Sequence, residues 1–162
     1  MKLVTTNIES LTLSTQFIEF EAPNGKVIID IKKLLSGNGD EAYFNATQVA
    51  KLFAPNDDKA YLLVRNYLKS KKTSEYISVL DEIVSNNNPT QKGTIKIKFT
   101  RRGFTENNSW KNGTWFYKDL AIDFFRFLDT RFAVMCDQFL KQVITQSQIL
   151  HTYRKRTNKD IV

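Results

Sequence analysis

The chain has 162 residues, 41% of them hydrophobic, with a formal net charge of +7, one cysteine and one histidine. That size suits a single domain with a buried core; a lone Cys136 excludes an internal disulfide, and Cys136 with His151 leaves too few ligands for a zinc site. No apolar run reaches the roughly 20 residues of a membrane-spanning helix, and Met1-Lys2-Leu3-Val4-Thr5-Thr6-Asn7 lacks the apolar stretch of a signal peptide, so a cytoplasmic protein without metal or cofactor is expected.

Phe17-Ile18-Glu19-Phe20 and Lys26-Val27-Ile28-Ile29-Asp30-Ile31 flank Ala22-Pro23-Asn24-Gly25. Asn-Gly is a strong hairpin signal because both residues tolerate positive φ. A hairpin extension over residues 1–41, packed on the rest, is therefore expected. Tyr43-Phe44 reads as a short strand leading into Asn45, and Asn45 with Gln48 has the form of a capping box. Ala46, Val49, Ala50 and Phe53 give the following helix an apolar face, and Pro55 stops it.

The next helix is expected to start near Asp57 or Asp58, acids suited to the positive end of the helix dipole, and to run to about Lys71. Tyr61, Val64 and Leu68 lie on its apolar stripe, while Arg65, Asn66, Lys69 and Lys72 recur at spacings of three and four on a polar one. A further helix capped by Thr73 or Ser74 runs to Val84, with Tyr76, Ile77, Leu80, Ile83 and Val84 toward the core. From Thr94 the period changes to two: Ile95, Ile97 and Phe99 alternate with Lys96, Lys98 and Thr100. A polar loop over residues 101–112 carries Arg101, Arg102 and Lys111 before the return strand Thr114-Trp115-Phe116-Tyr117, in which Trp115 anchors the core. Strand, basic loop and strand make a wing. Residues 119–128 form a compact apolar helix. Asp129 or Thr130 caps a last one through Phe132, Met135, Phe139 and Val143, with Cys136 a buried thiol. A basic tail is expected over 147–162, and its stretch Tyr153-Arg154-Lys155-Arg156-Thr157-Asn158-Lys159, without an apolar period, is expected to fray.

Charge is concentrated in the middle of the chain. Residues 61–118 hold eleven Lys or Arg against four Asp or Glu, a local +7 equal to the whole net charge. A field focused in this way draws phosphate to one face. Arg and Asn can read base edges in the major groove, so Arg65 and Asn66 are the candidates for base contacts; Lys69, Lys71, Lys72, Lys96, Lys98, Arg101, Arg102 and Lys111 suit phosphates, which carry affinity without sequence information. Phe104 and Trp110, between basic residues of the wing loop, could stack on a base or pin the loop to the domain. No enzyme activity is expected. The paired acids Asp57-Asp58 and Asp81-Glu82 have helix-end or surface roles, and no Walker loop or Gly-x-Ser-x-Gly is present.

Three motifs in order carry a resemblance. Asn45-Ala46-Thr47, Asn66-Tyr67-Leu68-Lys69, and Gly113-Thr114-Trp115 followed by Asp119-Leu120-Ala121 resemble the signatures of the KilA-N domain, found in regulators of bacteriophages and large DNA viruses and related to the fungal APSES DNA-binding domain. The chain departs from that pattern at Lys118, where Pro is frequent, at Tyr67, where Trp is frequent, and at Asp129-Thr130-Arg131-Phe132, where Ser-Pro-x-Phe is common. The resemblance implies an α+β fold of winged helix-turn-helix type over residues 42–146, with a small antiparallel sheet and about five helices. It implies binding of double-stranded DNA in phage or prophage transcription regulation, with residues 45–53 as positioning helix and 57–71 as recognition helix. Two other readings stay open: a protein-interaction module of antirepressor kind, with a protein partner or as a homodimer, and a binder of single-stranded DNA or RNA.

Overall fold

The structure, a computed structural model, describes residues 17–91 and 93–159. It is α+β with two small antiparallel sheets. The first is the hairpin of β1 (Phe17–Ala22) and β2 (Gly25–Asp30), in a register that pairs Phe17 with Asp30 and Ala22 with Gly25. The turn is thus Pro23-Asn24, not Asn24-Gly25. Proline holds φ near −65° and so bars a turn that needs positive φ at both central residues; only Gly25 goes positive, at 148°. Asn24 has another task. Its backbone N–H donates to Leu52 O at 2.9 Å and its side-chain amide donates to Lys51 O and Ala54 O, which caps the C-terminal end of α2 (Ala46–Phe53) and seats the hairpin there.

Asp30 then switches the backbone into α1 (Ile31–Ser36), a helix the alternation before it does not announce, by accepting the Lys33 N–H at 3.2 Å. β3 (Tyr43–Asn45) leads directly into α2, and Asn45 Oδ1 accepts the Gln48 N–H at 3.2 Å as expected of the cap. Asn56 caps α3 (Asp57–Lys69) through the Lys59 N–H at 2.9 Å. This helix is shorter than expected. Ser70 ends α3 and also caps α4 (Lys71–Asn87), its Oγ accepting the Thr73 N–H at 3.0 Å, so the expected start at Thr73 or Ser74 is corrected to Lys71. Lys71 and Lys72 therefore belong to the first turn of α4, and Lys72 does not continue the stripe of α3.

The second sheet has the order β3-β5-β4, with β4 (Lys98–Arg101) and β5 (Gly113–Tyr117). The alternating run from Thr94 is strand only from Lys98, with one further bond from the Tyr117 N–H to Ile97 O at 2.8 Å. The partner sets the limit: Lys98 pairs with Phe116, so Lys96 would have to face Lys118, where α5 (Lys118–Leu128) has already begun. Lastly comes α6 (Thr130–Lys159), capped by Asp129 Oδ1 through the N–H groups of Arg131 at 2.7 Å and Phe132 at 3.3 Å. The fraying expected over residues 153–159 does not occur as far as Lys159. Gln, Lys and Arg lose little rotamer freedom in a helix, which offsets the missing apolar period. No helix among the described residues is long and apolar enough to cross a membrane.

The chain divides into two compact units between Phe124 and Phe125. In the first, Phe116 and Phe124 are fully buried and meet edge to face at 5.2 Å, with Tyr67 packed on both rings. In the second, Phe125 and Phe132 meet edge to face at 6.0 Å and Arg126 pairs with Asp137 at 3.0 Å. Cys136 is half-buried, and that burial pushes its thiol above the usual cysteine range.

Candidate nucleic-acid interface

The hairpin β4–β5 is held to α2 by the residues of two of the sequence motifs. Asn45 divides its side chain: Oδ1 caps α2, while Nδ2 donates to Trp110 O at 2.7 Å and Asn112 O at 3.0 Å. Thr47, fully buried, accepts the Thr114 N–H on Oγ1 at 2.9 Å. These bonds require the hairpin backbone to come very close to α2. Gly113 permits it, because an added Cβ would lie 2.7 Å from Thr47 Cβ and its φ of +125° excludes most side chains. The first helix opening and the Gly-Thr-Trp strand thus form one brace.

Two departures from the family pattern find a physical account. Tyr67, where Trp is frequent, is buried and donates its hydroxyl to Asp123 Oδ2 at 2.7 Å. Burial and that carboxylate push its phenol far above the ordinary tyrosine value. Lys118, where Pro is frequent, donates its ammonium to Leu35 O at 3.3 Å and Gly37 O at 3.1 Å, and so closes the C-terminal end of α1.

The candidate cations separate into groups. Arg101 and Arg102 line a cleft of about 480 Å³ together with Thr100, Asn112, Thr114 and, from α3, Tyr61. Lys96 and Lys98 instead line a second cleft, of about 470 Å³, against Ser74, Ser78 and Asp81 of α4. Arg101 is not a free cation: its guanidinium lies 5.1 Å from the ring centroids of both Phe99 and Trp115, which stack on each other, and 3.5 Å from Asp40. Arg102 is exposed. Lys111 is half-buried with its ammonium over Phe104 and Trp110.

On α3 the buried stripe is Ala60, Val64 and Tyr67; Tyr61, expected in the core, is 50% exposed and faces the hairpin cleft. With about 100° of rotation per residue, Arg65 stands about 40° round from Tyr61, and Lys69 about 40° further. Asn66 lies about 100° beyond Arg65, so the expected shared stripe of Arg65 and Asn66 opens into two directions. All three are exposed, and neither Arg65 nor Lys69 enters an ion pair among the described residues. Lys71 and Lys72 are exposed at the N-terminal end of α4, which has no acid in its first turn; Glu75 lies 3.9 Å from Lys71. The side chains of Arg154, Lys155 and Arg156 lie outside the described residues.

Sequence reasoning missed the bond by which Thr47 holds the hairpin and the place of Tyr61 in the cleft. A buried threonine leaves no periodic signal, whereas Tyr61 is four residues before Arg65, a spacing that places it beside the basic stripe. A family model described as the KilA-N domain matches residues 27–146. The match begins within β2, upstream of the motif-bearing region. No curated protein and no solved structure matches the chain.

Proposed function

The chain belongs to the KilA-N domain family, whose members are generally DNA-binding modules, and from that premise we propose that it binds double-stranded DNA as a regulator of phage or viral type. In this reading α2 and α3 form a helix-turn-helix with a three-residue turn over Ala54–Asn56. The basic side of α3 enters the major groove, Arg65 foremost, and the β4–β5 hairpin is the wing, with Arg102 on the adjacent backbone. Lys69, Lys71 and Lys72 reach phosphates, the last two aided by the positive end of α4.

The observation that carries the reading is the shared cleft. Tyr61 of α3 and Arg101 and Arg102 of the hairpin line one concavity although about forty residues separate them, and Arg65, about 40° round the helix from Tyr61, is the α3 cation nearest to that side. Lys96 and Lys98 open toward α4 and are peripheral to that contact.

Anisotropy titration of a random-sequence duplex over a range of salt concentrations tests it. Expected is a linear fall of log affinity with log salt, and for Arg102→Ala a slope shallower by about 0.9, since the variant neutralises one phosphate fewer. An unchanged slope removes the wing from the interface. Absence of duplex binding at low salt, or tighter binding of single strands or RNA, overturns the duplex reading.

A further inference from the structure

The loop between β4 and β5 carries a group that the groove contact leaves unused. Phe104 and Trp110 are 36% and 54% exposed, and Lys111 Nζ lies 5.6 Å from the centroid of each ring. An aromatic in a basic loop commonly serves to pin that loop, and one side of the Trp110 ring does meet Trp115, centroids 6.3 Å apart and tilted by 54°, but hydrogen bonds also hold the loop. The Phe104 N–H donates to Asn112 Oδ1 at 3.0 Å, and Asn112 Nδ2 donates to Phe104 O at 2.7 Å. Asn45 Nδ2 holds Trp110 O, and Trp115 Nε1 donates to Lys111 O at 2.9 Å. Within the loop the Asn108 N–H reaches Thr105 O at 3.2 Å and the Asn112 N–H reaches Ser109 O at 3.0 Å. Glu106 has a φ of 53°, the one positive value at a non-glycine among the described residues, a conformation kept only where the surroundings over-determine it. The backbone is fixed by hydrogen bonds, and both rings keep exposed surface beside a cation, Trp110 more than Phe104.

Resting on the duplex-binding reading above, we infer that Phe104, Trp110 and Lys111 form a stacking site for an unpaired nucleobase, next to the groove contact. The indole face offers a sequence-tolerant platform for any base, and a fixed platform loses little freedom on binding. Lys111 lies where the phosphate of the stacked nucleotide needs a counter-charge, with Arg102 on the same loop; Glu106 is the loop's one acid. Unstacking a paired base is costly, so the site favours DNA in which a base is already free: a bulge, a gap or a melted step.

The test compares a perfect duplex with the same duplex bearing one bulged nucleotide, by anisotropy and by indole fluorescence. The wild-type protein is expected to bind the bulged duplex more tightly, by roughly 5- to 150-fold as for one base–aromatic stack, with quenching of the exposed indole. Trp110→Ala abolishes that preference and leaves perfect-duplex affinity and its salt slope unchanged; Trp110→Phe retains most of the preference and loses the quenching. Equal wild-type affinity for the two duplexes overturns the site. So does an equal loss on both for Trp110→Ala, which would make Trp110 a loop anchor. Failure of the groove reading has a different signature: no binding of the perfect duplex, with a bulged or single-stranded probe still quenching the indole.

Discussion

Gly113 has a positive φ and faces Thr47 Cβ across a gap that a methyl group would close to 2.7 Å. Gly113→Ala is expected to lower unfolding free energy by about 2–4 kcal/mol in a urea titration, combining backbone strain with overpacking against a side chain that has nowhere to move. A loss below about 0.5 kcal/mol, the ordinary range of a surface substitution, would mean that α2 and the hairpin part easily. The sequence shows this pair of motifs as a likeness to a family but not as a contact. Asn45 and Asn112, or Thr47 and Thr114, are joined across most of the domain by single hydrogen bonds, and no local period encodes such a partner. The same holds for Arg101: its place in a basic loop is legible, whereas the Phe99–Trp115 stack and Asp40 that occupy it are tertiary facts.

Periodicity predicts elements well where packing leaves one choice and poorly where a single polar residue decides. The cap of α2 and the start of α5 are legible; α1 and the joint between α3 and α4 are not, since each depends on one side chain, Asp30 or Ser70, intercepting a free amide. The joint changes what Lys71 and Lys72 mean. Two ammonium groups in a first turn oppose the helix dipole, and the exposed Glu75 at 3.9 Å offsets little of that. Lys71→Ala with Lys72→Ala is therefore expected to stabilise the fold by about 0.3–1 kcal/mol while weakening duplex binding at every sequence. A double variant that is no more stable, or that binds DNA as well as the wild type, shows that these charges are not placed for a ligand. Apolar stripes carry the opposite limitation: Tyr76 and Ile83 of α4 and Val143 of α6 fit a core period yet are at least 40% exposed, because a period marks a face without supplying something to cover it.

At the level of global stability, Tyr67 ties α3 to β5 and α5 through Phe116, Phe124 and Asp123. The folded state favours its protonated phenol, so this contribution is complete below the ordinary tyrosine value of about 10 and is lost as pH rises past it. Tyr67→Phe is expected to cost about 1.5–3 kcal/mol at neutral pH, the range for a hydrogen bond to a charged group, and to flatten the alkaline decline in unfolding free energy measured from pH 8 to 11. Tyr43 and Tyr117, also raised by burial, leave a residual slope. An alkaline decline identical in both proteins would show that Tyr67 is not the group responsible. The brace at Asn45, Thr47 and Gly113 has its own consequence at this scale. In the duplex-binding reading, a helix and hairpin braced in this way cannot adjust their span, and a target displaced by one base pair moves a phosphate by about 3.4 Å along the strand. On that reading the duplex does the yielding, and steps that kink or twist easily are expected to gain preference even where no side chain touches them.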